Sequence, residues 1–169
     1  MFAQLSKNIE AACIKARRYK LAASGALFIV RTQSFSHRTV EVWFDRPTAF
    51  SHRIVHELKN VWSQLWRPDT YRATGAVLLE LTDDGREQAD LFGGWRDEER
   101  MMRVYEGIDA LHAKYGKYAV FLGSSFPAQI SPQHAGGRGS GPERTKRLFM
   151  GESKHDFNLP DRPGKKEEP

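Results

Sequence analysis

The chain has 169 residues, of which 40% are hydrophobic, enough for one modest core with appendages. Its formal net charge of +5 suits an anionic partner such as nucleic acid or an anionic lipid surface, although solubility alone can also account for it. The single cysteine, Cys13, cannot form an intrachain disulfide, and no apolar run approaches the roughly 20 residues that a membrane-spanning helix needs. The N-terminus has no signal pattern, so we expect a cytoplasmic location.

Residues 1–84 predict a small α+β domain. Leu5, Ile9 and Cys13 recur at helical spacing and give a first helix one apolar face. Alternation of apolar and polar residues between Val40 and Phe44 is typical of a strand. The predicted elements are a helix over residues 5–20, a break at Gly25, strands over 26–33 and 38–44 joined by a turn at 34–37, a helix that begins at Pro47–Thr48 and ends at Pro68, and a strand over 71–81.

This order of elements implies a three-stranded sheet with two helices covering one face. Phe28 and Val30 would point toward the helices. Because three strands make a thin sheet and the chain opens directly on a helix, we expect a first strand to be missing. The chain would then be a C-terminal fragment of a longer protein or a truncated gene product. The open face would carry Arg31, Gln33, Thr39 and Glu41, with Trp43 as a further candidate.

The second half of the chain predicts fewer elements. A helix over residues 96–115 is ended by Gly116, and a short strand follows over residues 118–122. From residue 127 onward proline, glycine and charge dominate, so we expect a disordered tail. The apolar stripe of the helix comprises Met101, Val104, Tyr105, Ile108 and Leu111. The predicted units are residues 1–84, a linker over 85–94, an accessory helix-strand segment over 95–126 and the tail over 127–169.

A Leu-Phe pair lies in the linker among glycines and acids. Leu91 and Phe92 have little local core to join, and Gln88 precedes them, which suits filling a pocket on a partner with the glutamine at its rim. The alternative is a hydrophobic pair that closes the preceding sheet. The segment Gln88, Ala89, Asp90, Leu91 and Phe92 resembles the peptide by which bacterial DNA polymerases and repair proteins dock on the sliding clamp.

Further segments, in chain order, carry a wider family resemblance. They are Cys13–Arg18, Val30–Thr32, Pro47–Thr48, Tyr71–Ala76 and Ile108–Gly116. Their order and spacing resemble the little finger of Y-family translesion DNA polymerases of the bacterial DinB/UmuC type, the accessory DNA-binding domain that follows palm, thumb and fingers. The likeness covers roughly residues 5–126. It departs from the family at the missing first strand and at the short turn 34–38.

The resemblance implies a module that binds duplex or primer-template DNA without sequence preference and docks on the bacterial sliding clamp. Arginines and lysines on the open sheet face and its loop would neutralise phosphates. The alternative is a solvated basic face. The candidate DNA-binding residues are Arg31, Gln33, Ser34, Ser36, Arg38, Thr39 and Arg72, with Lys15, Arg17 and Arg18 as further candidates.

We expect no catalysis by this chain alone, because it lacks the Mg²⁺-binding carboxylates of a polymerase palm. The acids at 83–84 and 97–99 are interpreted as turn and helix-capping charges. No cofactor is expected for the chain itself, and Mg²⁺ only for catalytic domains supplied upstream.

Other reactive residues predict no site. His52 and His56 are four residues apart and could share a metal, but they are interpreted as solvent-facing side chains. Cys13 is interpreted as a core residue. The competing function for the whole chain is an unrelated protein-interaction domain with an incidental basic face.

Overall fold

The structure is a computed structural model that describes residues 1–84 and 95–130. In the second range it describes the side chains from Glu98 onward. Its elements in chain order are α1 (Phe2–Arg18), β1 (Leu21–Thr32), β2 (His37–Thr48), α2 (Ser51–Asn60), α3 (Trp62–Leu65), β3 (Tyr71–Asp83), α4 (Trp95–Tyr115), a 3-10 turn (Gly123–Ser125) and α5 (Phe126–Ile130).

The three strands form one antiparallel sheet in the order β2-β1-β3. Side chains of β1 alternate, so Phe28 and Val30 are buried while Arg31 is exposed. The helices α1, α2 and α3 cover the buried face of the sheet. The predicted α+β class and the placing of two helical segments on one face are therefore confirmed.

The core lies between this sheet face and the helices. Phe28 is fully buried against Leu5 and Ile9 of α1, and against Ile54 and Leu58 of α2. Each such side chain contributes about 1.5–3 kcal/mol when it leaves water, so this cluster supplies most of the domain's hydrophobic stabilisation. The helical period that predicted the apolar face of α1 is confirmed by the burial of Leu5 and Ile9.

The prediction that Gly25 separates α1 from β1 is wrong, because Gly25 lies inside β1. The chain reverses earlier, where Lys20 adopts a left-handed backbone conformation with φ 55°. At Gly25 a side chain would place its Cβ 2.8 Å from the carbonyl oxygen of Val42 and 3.0 Å from the Trp43 ring. The register also shifts between Ala23 and Gly25. A glycine is therefore required here by close approach of β2.

The prediction that the second helix begins at Pro47–Thr48 is wrong. Both residues end β2, an edge strand, where the missing N–H of a proline is tolerated. The Thr48 hydroxyl accepts a hydrogen bond of 3.2 Å from the Phe50 amide, and α2 begins at Ser51. The predicted single helix is also divided at Val61 into α2 and α3, and both pieces bury their apolar face.

The segment after α4 contains no strand at 118–122. Gly116, with φ 95°, ends α4 as predicted, and residues 117–122 form turns and bends. Residues 127–130 belong to α5, where Ala128 is buried, although the tail was expected to begin there. Two residues of the predicted α4 stripe, Val104 and Leu111, are exposed, because the buried side of α4 is centred on Tyr105 and His112.

The C-terminal segment, residues 95–130, docks on α1 and α2 through polar contacts. Glu10 of α1 accepts a hydrogen bond from the Leu122 amide, and Lys7 donates one of 3.0 Å to the Ala128 carbonyl. The carboxylate of Glu98 in α4 lies 2.6 Å from the guanidinium of Arg53 in α2. In the described part of the chain, this segment is thus packed on the sheet domain.

Candidate nucleic-acid interface

The turn between β1 and β2 brings several of the predicted DNA-binding residues together. We call this region the hairpin end; it comprises residues 31–38 and the start of β3 at 71–73. The Thr32 hydroxyl lies 2.8 Å from the hydroxyls of both Ser34 and Ser36. The Thr32 backbone amide donates a hydrogen bond of 2.9 Å to the Ser36 carbonyl. This network closes the short turn and leaves Ser34 and Ser36 exposed beside Arg31.

Arg72 reaches the hairpin end because β3 carries an extra residue. Thr32 is paired with Tyr71, but the preceding residue, Arg31, is paired with Ala73. Arg72 therefore has no opposite residue in β1. Such a bulge redirects a side chain that strict alternation would place elsewhere. The Arg72 guanidinium carbon lies 4.8 Å from the centre of the Phe35 ring, and the Arg31 guanidinium carbon lies at the same distance from it.

Two exposed guanidinium groups therefore meet on one aromatic ring. In the described part of the chain, neither Arg31 nor Arg72 forms an ion pair with a carboxylate, and both side chains are exposed. Guanidinium groups have a rigid fork of donors that matches phosphate oxygens. The hairpin end can thus offer an anion two charged forks and adjacent hydroxyls.

The other candidates near this pair lie in the turn and on β2. The Gln33 side chain is exposed. Its backbone amide donates a hydrogen bond of 2.9 Å to the Thr70 carbonyl, which connects the turn to the loop before β3. Thr39 is paired with Ile29 and lies on the open face. Arg38 is paired with Val30, so it lies on the helix-bearing side of the sheet, at its exposed margin.

Beyond the hairpin end, the open face carries exposed apolar side chains together with the exposed acid Glu41, which is paired with Leu27. Trp43, Val77 and Leu81 are each about half exposed, with 54%, 44% and 49% of their surface in contact with solvent. The expectation of a basic sheet face therefore holds only at the hairpin end.

The basic end of α1 is at the opposite end of the sheet. Its last turn leads into β1, and the Lys20 carbonyl accepts a hydrogen bond of 2.9 Å from the Asp84 amide at the end of β3. Lys15 and Arg18 are exposed there. These two candidates are separated from Arg31 and Arg72 by the length of the strands, so the candidates form two clusters.

Arg17, in contrast, is committed to internal contacts. Its guanidinium donates hydrogen bonds of 2.8 Å to both carboxylate oxygens of Asp109 and one of 2.8 Å to the Ala49 carbonyl. It also lies 4.4 Å from the centre of the Tyr105 ring, and only 9% of its side chain is exposed. Arg17 thus joins α1 to α4 and to the connection between β2 and α2, and its charge is directed away from solvent.

His52, His56 and Cys13 lie away from the hairpin end. His52 is only partly exposed, although it is predicted to face solvent. Its ring is stacked on the Tyr105 ring, and its Nδ1 atom lies 2.9 Å from the Tyr105 hydroxyl. Burial, followed by the neighbouring Arg53 charge, lowers the pKa of His52. His56 is exposed. Among the described residues no group of three histidine, cysteine or acidic side chains could hold a metal ion.

The predicted clamp-docking residues, Gln88, Ala89, Asp90, Leu91 and Phe92, lie outside the described residues. Of the acids that precede them, Asp83 is the last residue of β3 and Asp84 lies in the turn that follows. Burial, the larger effect, raises the pKa of Asp84, and the Arg17 charge opposes it.

Sequence reasoning missed one residue of the hairpin end, Phe35. An exposed aromatic ring in a tight polar turn between two strands was the available signal, since such turns favour glycine, asparagine and aspartate. The contact with Arg72 could not be found in this way, because it depends on the bulge in β3.

Comparison of the sequence with those of known proteins identifies the family of this chain. A sequence profile described as the impB/mucB/samB family C-terminal domain matches residues 1–91, more than half of the chain. The chain belongs to this family. The DNA polymerase IV of Caulobacter vibrioides (strain ATCC 19089 / CIP 103742 / CB 15) is 30% identical to it over 109 residues, which are 64% of this chain and 27% of that relative. The chain therefore spans about a quarter of the length of this relative.

These matches confirm the resemblance to the C-terminal region of a Y-family polymerase. The family match ends at residue 91, so all of α4, the 3-10 turn and α5 lie beyond it. Family membership also removes the alternative of an unrelated domain. No helix of the described residues combines the length and the apolar character needed to cross a membrane.

Proposed function

We propose that this chain is the C-terminal DNA-binding and clamp-docking part of a Y-family translesion DNA polymerase. It would hold primer-template DNA by its phosphates and attach a damage-tolerant enzyme to the replication machinery. The observation that carries the DNA-binding part is the pair of exposed, unpaired guanidiniums of Arg31 and Arg72 at the hairpin end.

Phosphate binding is the chemistry that suits a bypass enzyme. Contacts to the sugar-phosphate backbone fix the position of a protein on DNA and carry no sequence information. A distorted or damaged duplex keeps its phosphates, so a surface that reads charge retains its grip where one that reads bases would lose it. The serine hydroxyls beside Arg31 would add neutral donors to the same phosphates.

The test is DNA affinity as a function of salt. Fluorescence anisotropy with a labelled primer-template should show binding that weakens steeply as salt rises, with similar affinity for unrelated sequences. The double variant Arg31→Ala plus Arg72→Ala should bind at least tenfold more weakly at about 50 mM salt and lower the salt slope by about 1–2.

A matched control removes two exposed charges elsewhere. Arg103→Ala plus Lys114→Ala changes the net charge by the same amount on α4, which packs on α1 and α2. If the two double variants lose affinity equally, net charge and not the hairpin end accounts for binding. If neither changes it, the hairpin end is not the DNA surface.

Clamp docking is the second part of the proposal. It rests on the resemblance of Gln88–Phe92 to a clamp-docking peptide and on the position of that segment directly after the sheet domain. Attachment to the clamp would raise the effective concentration of the enzyme at the primer end without any new contact to DNA. A pull-down with the sliding clamp should recover the wild-type chain and lose Leu91→Ala plus Phe92→Ala. Equal recovery of both forms would reject docking by this peptide.

Nucleotidyl transfer would belong to the parent enzyme. We propose that catalytic domains upstream supply the Mg²⁺-binding carboxylates, and that this chain alone does not extend a primed template with dNTPs and Mg²⁺. Extension by the purified chain would contradict this assignment.

A further inference from the structure

Phe35 occupies a position that its backbone makes costly. Its φ is 67°, in the left-handed region, where a residue with a Cβ is disfavoured by contact with the neighbouring carbonyl oxygen. Glycine or asparagine would avoid most of that cost. The ring does not recover it by joining the core, since 56% of the residue is exposed. The contacts that the ring does make are with Arg31 and Arg72.

Those contacts restrict two long side chains. A guanidinium over an exposed aromatic ring is attracted by the negative face of the ring, which favours one arrangement of an otherwise free arginine. Because both guanidinium carbons lie 4.8 Å from the same ring centre, the two positive charges are held within 10 Å of each other. Two like charges without acidic partners would otherwise tend to move apart.

We propose that Phe35 is a positioning residue that holds Arg31 and Arg72 ready for the phosphates of a nucleic-acid backbone. The proposal rests on the proposed function and adds the part played by the aromatic ring. Ordering a flexible side chain on binding costs conformational entropy, and a side chain that is already ordered avoids most of this cost. The ring would thus raise affinity without contributing charge or touching DNA.

The test is a double-mutant cycle between Phe35 and the arginine pair, read by DNA affinity at one low salt concentration. Phe35→Asn keeps a residue that tolerates the left-handed backbone and removes the ring. We expect Phe35→Asn to weaken binding about threefold to tenfold in the wild-type background, from the ordering cost of two side chains. In the background of Arg31→Ala plus Arg72→Ala it should have no effect.

Two further variants separate positioning from other roles. Phe35→Tyr retains the aromatic face and should bind as the wild type does, whereas Phe35→Leu retains the apolar bulk and should bind as Phe35→Asn does. The thermal midpoint of Phe35→Asn should equal or exceed that of the wild type, which excludes misfolding as the cause of weaker binding. Binding by Phe35→Leu at the wild-type level would overturn the role of the ring.

The outcomes distinguish this proposal from the proposed function. An equal loss from Phe35→Asn in both backgrounds would show that the ring contacts DNA or shapes the turn by itself, and positioning would be rejected. If the arginine double variant is weakened but Phe35→Asn binds normally, the DNA surface stands and positioning fails. If the arginine double variant binds normally, the DNA surface itself fails, and the positioning proposal with it.

Discussion

The guanidinium of Arg17 and the carboxylate of Asp109 meet through two hydrogen bonds of 2.8 Å, although 92 residues separate them in the chain. This bidentate pair joins α1, which lies within the family match, to α4, which lies wholly beyond the end of that match at residue 91. The Tyr105 ring covers the guanidinium at 4.4 Å. The C-terminal segment is thus fastened to the sheet domain by a well-ordered ion pair.

Removing one partner of this pair should destabilise the protein. We expect Asp109→Ala to lower the free energy of unfolding by about 3 kcal/mol, the low end for a buried pair, because Asp109 is one-third exposed while Arg17 would keep a buried charge. Urea unfolding followed by circular dichroism measures this. Glu99→Ala removes the exposed pair with Arg103 and should change stability by less than about 1 kcal/mol. Equal effects of the two variants would show that the Arg17 pair adds nothing beyond a surface contact.

Glu10 should make stability depend on pH. Burial, the largest cause, raises the pKa of this carboxyl, while hydrogen bonds from Ser125 and the Leu122 amide and the His112 and Lys7 charges oppose the rise. A raised folded pKa means that the unfolded chain gives up the proton first, so the Glu10 contribution to stability falls as pH rises from about 4.3, the unfolded value, through the folded pKa.

The variant Glu10→Gln removes this titration and keeps a carbonyl to accept the bond from Leu122. Its thermal midpoint should equal that of the wild type near pH 4 and exceed it near pH 7, where the wild-type carboxylate is charged and buried. A Glu10→Gln protein that is less stable than the wild type at pH 7 would mean that attraction by Lys7 and His112 outweighs burial.

Gly25→Ala should destabilise the β1–β2 pairing. The new Cβ would lie 2.8 Å from the Val42 carbonyl oxygen, and a backbone atom cannot move aside as a flexible side chain can. We expect a loss of about 1–3 kcal/mol, measured by thermal or urea unfolding. Gly107→Ala is the matched control, because its Cβ would meet no atom within 4 Å and alanine favours the helix. A harmless Gly25→Ala would show that β2 is not held this close to β1.

Cys13 should report unfolding by its reactivity. The thiol is fully buried, and burial raises its pKa to about 12, with the Arg17 charge opposing and those of Glu10 and Asp109 adding. A thiol reagent at pH 8 should therefore modify the native chain only as fast as it opens, and should react at once in urea. Asp109→Ala should react faster than the wild type. Rapid modification of the native wild type would contradict the core position of Cys13.

Local patterns were enough for the elements of the sheet domain. The 3.6-residue spacing of Leu5, Ile9 and Cys13 marks the side of α1 that packs on the sheet, and the period of two in β1 marks Phe28 and Val30 as core. The same reasoning failed at α4, where Val104 and Leu111 fit an apolar stripe but are exposed. The position of that helix is set largely by polar contacts of Glu98, Tyr105 and Asp109, which hydrophobic spacing cannot register.

By itself, the sequence determined the family, the class of fold and the positions of the basic residues that we propose bind phosphate, because motifs and periodicity are properties of neighbouring residues. Only the tertiary structure decided which of those residues act together. The bulge in β3 brings Arg72 to Phe35 and Arg31, and the docking of α4 withdraws Arg17 from solvent. Both outcomes depend on strand register and helix packing between distant segments, and the spacing of residues along one segment does not specify them.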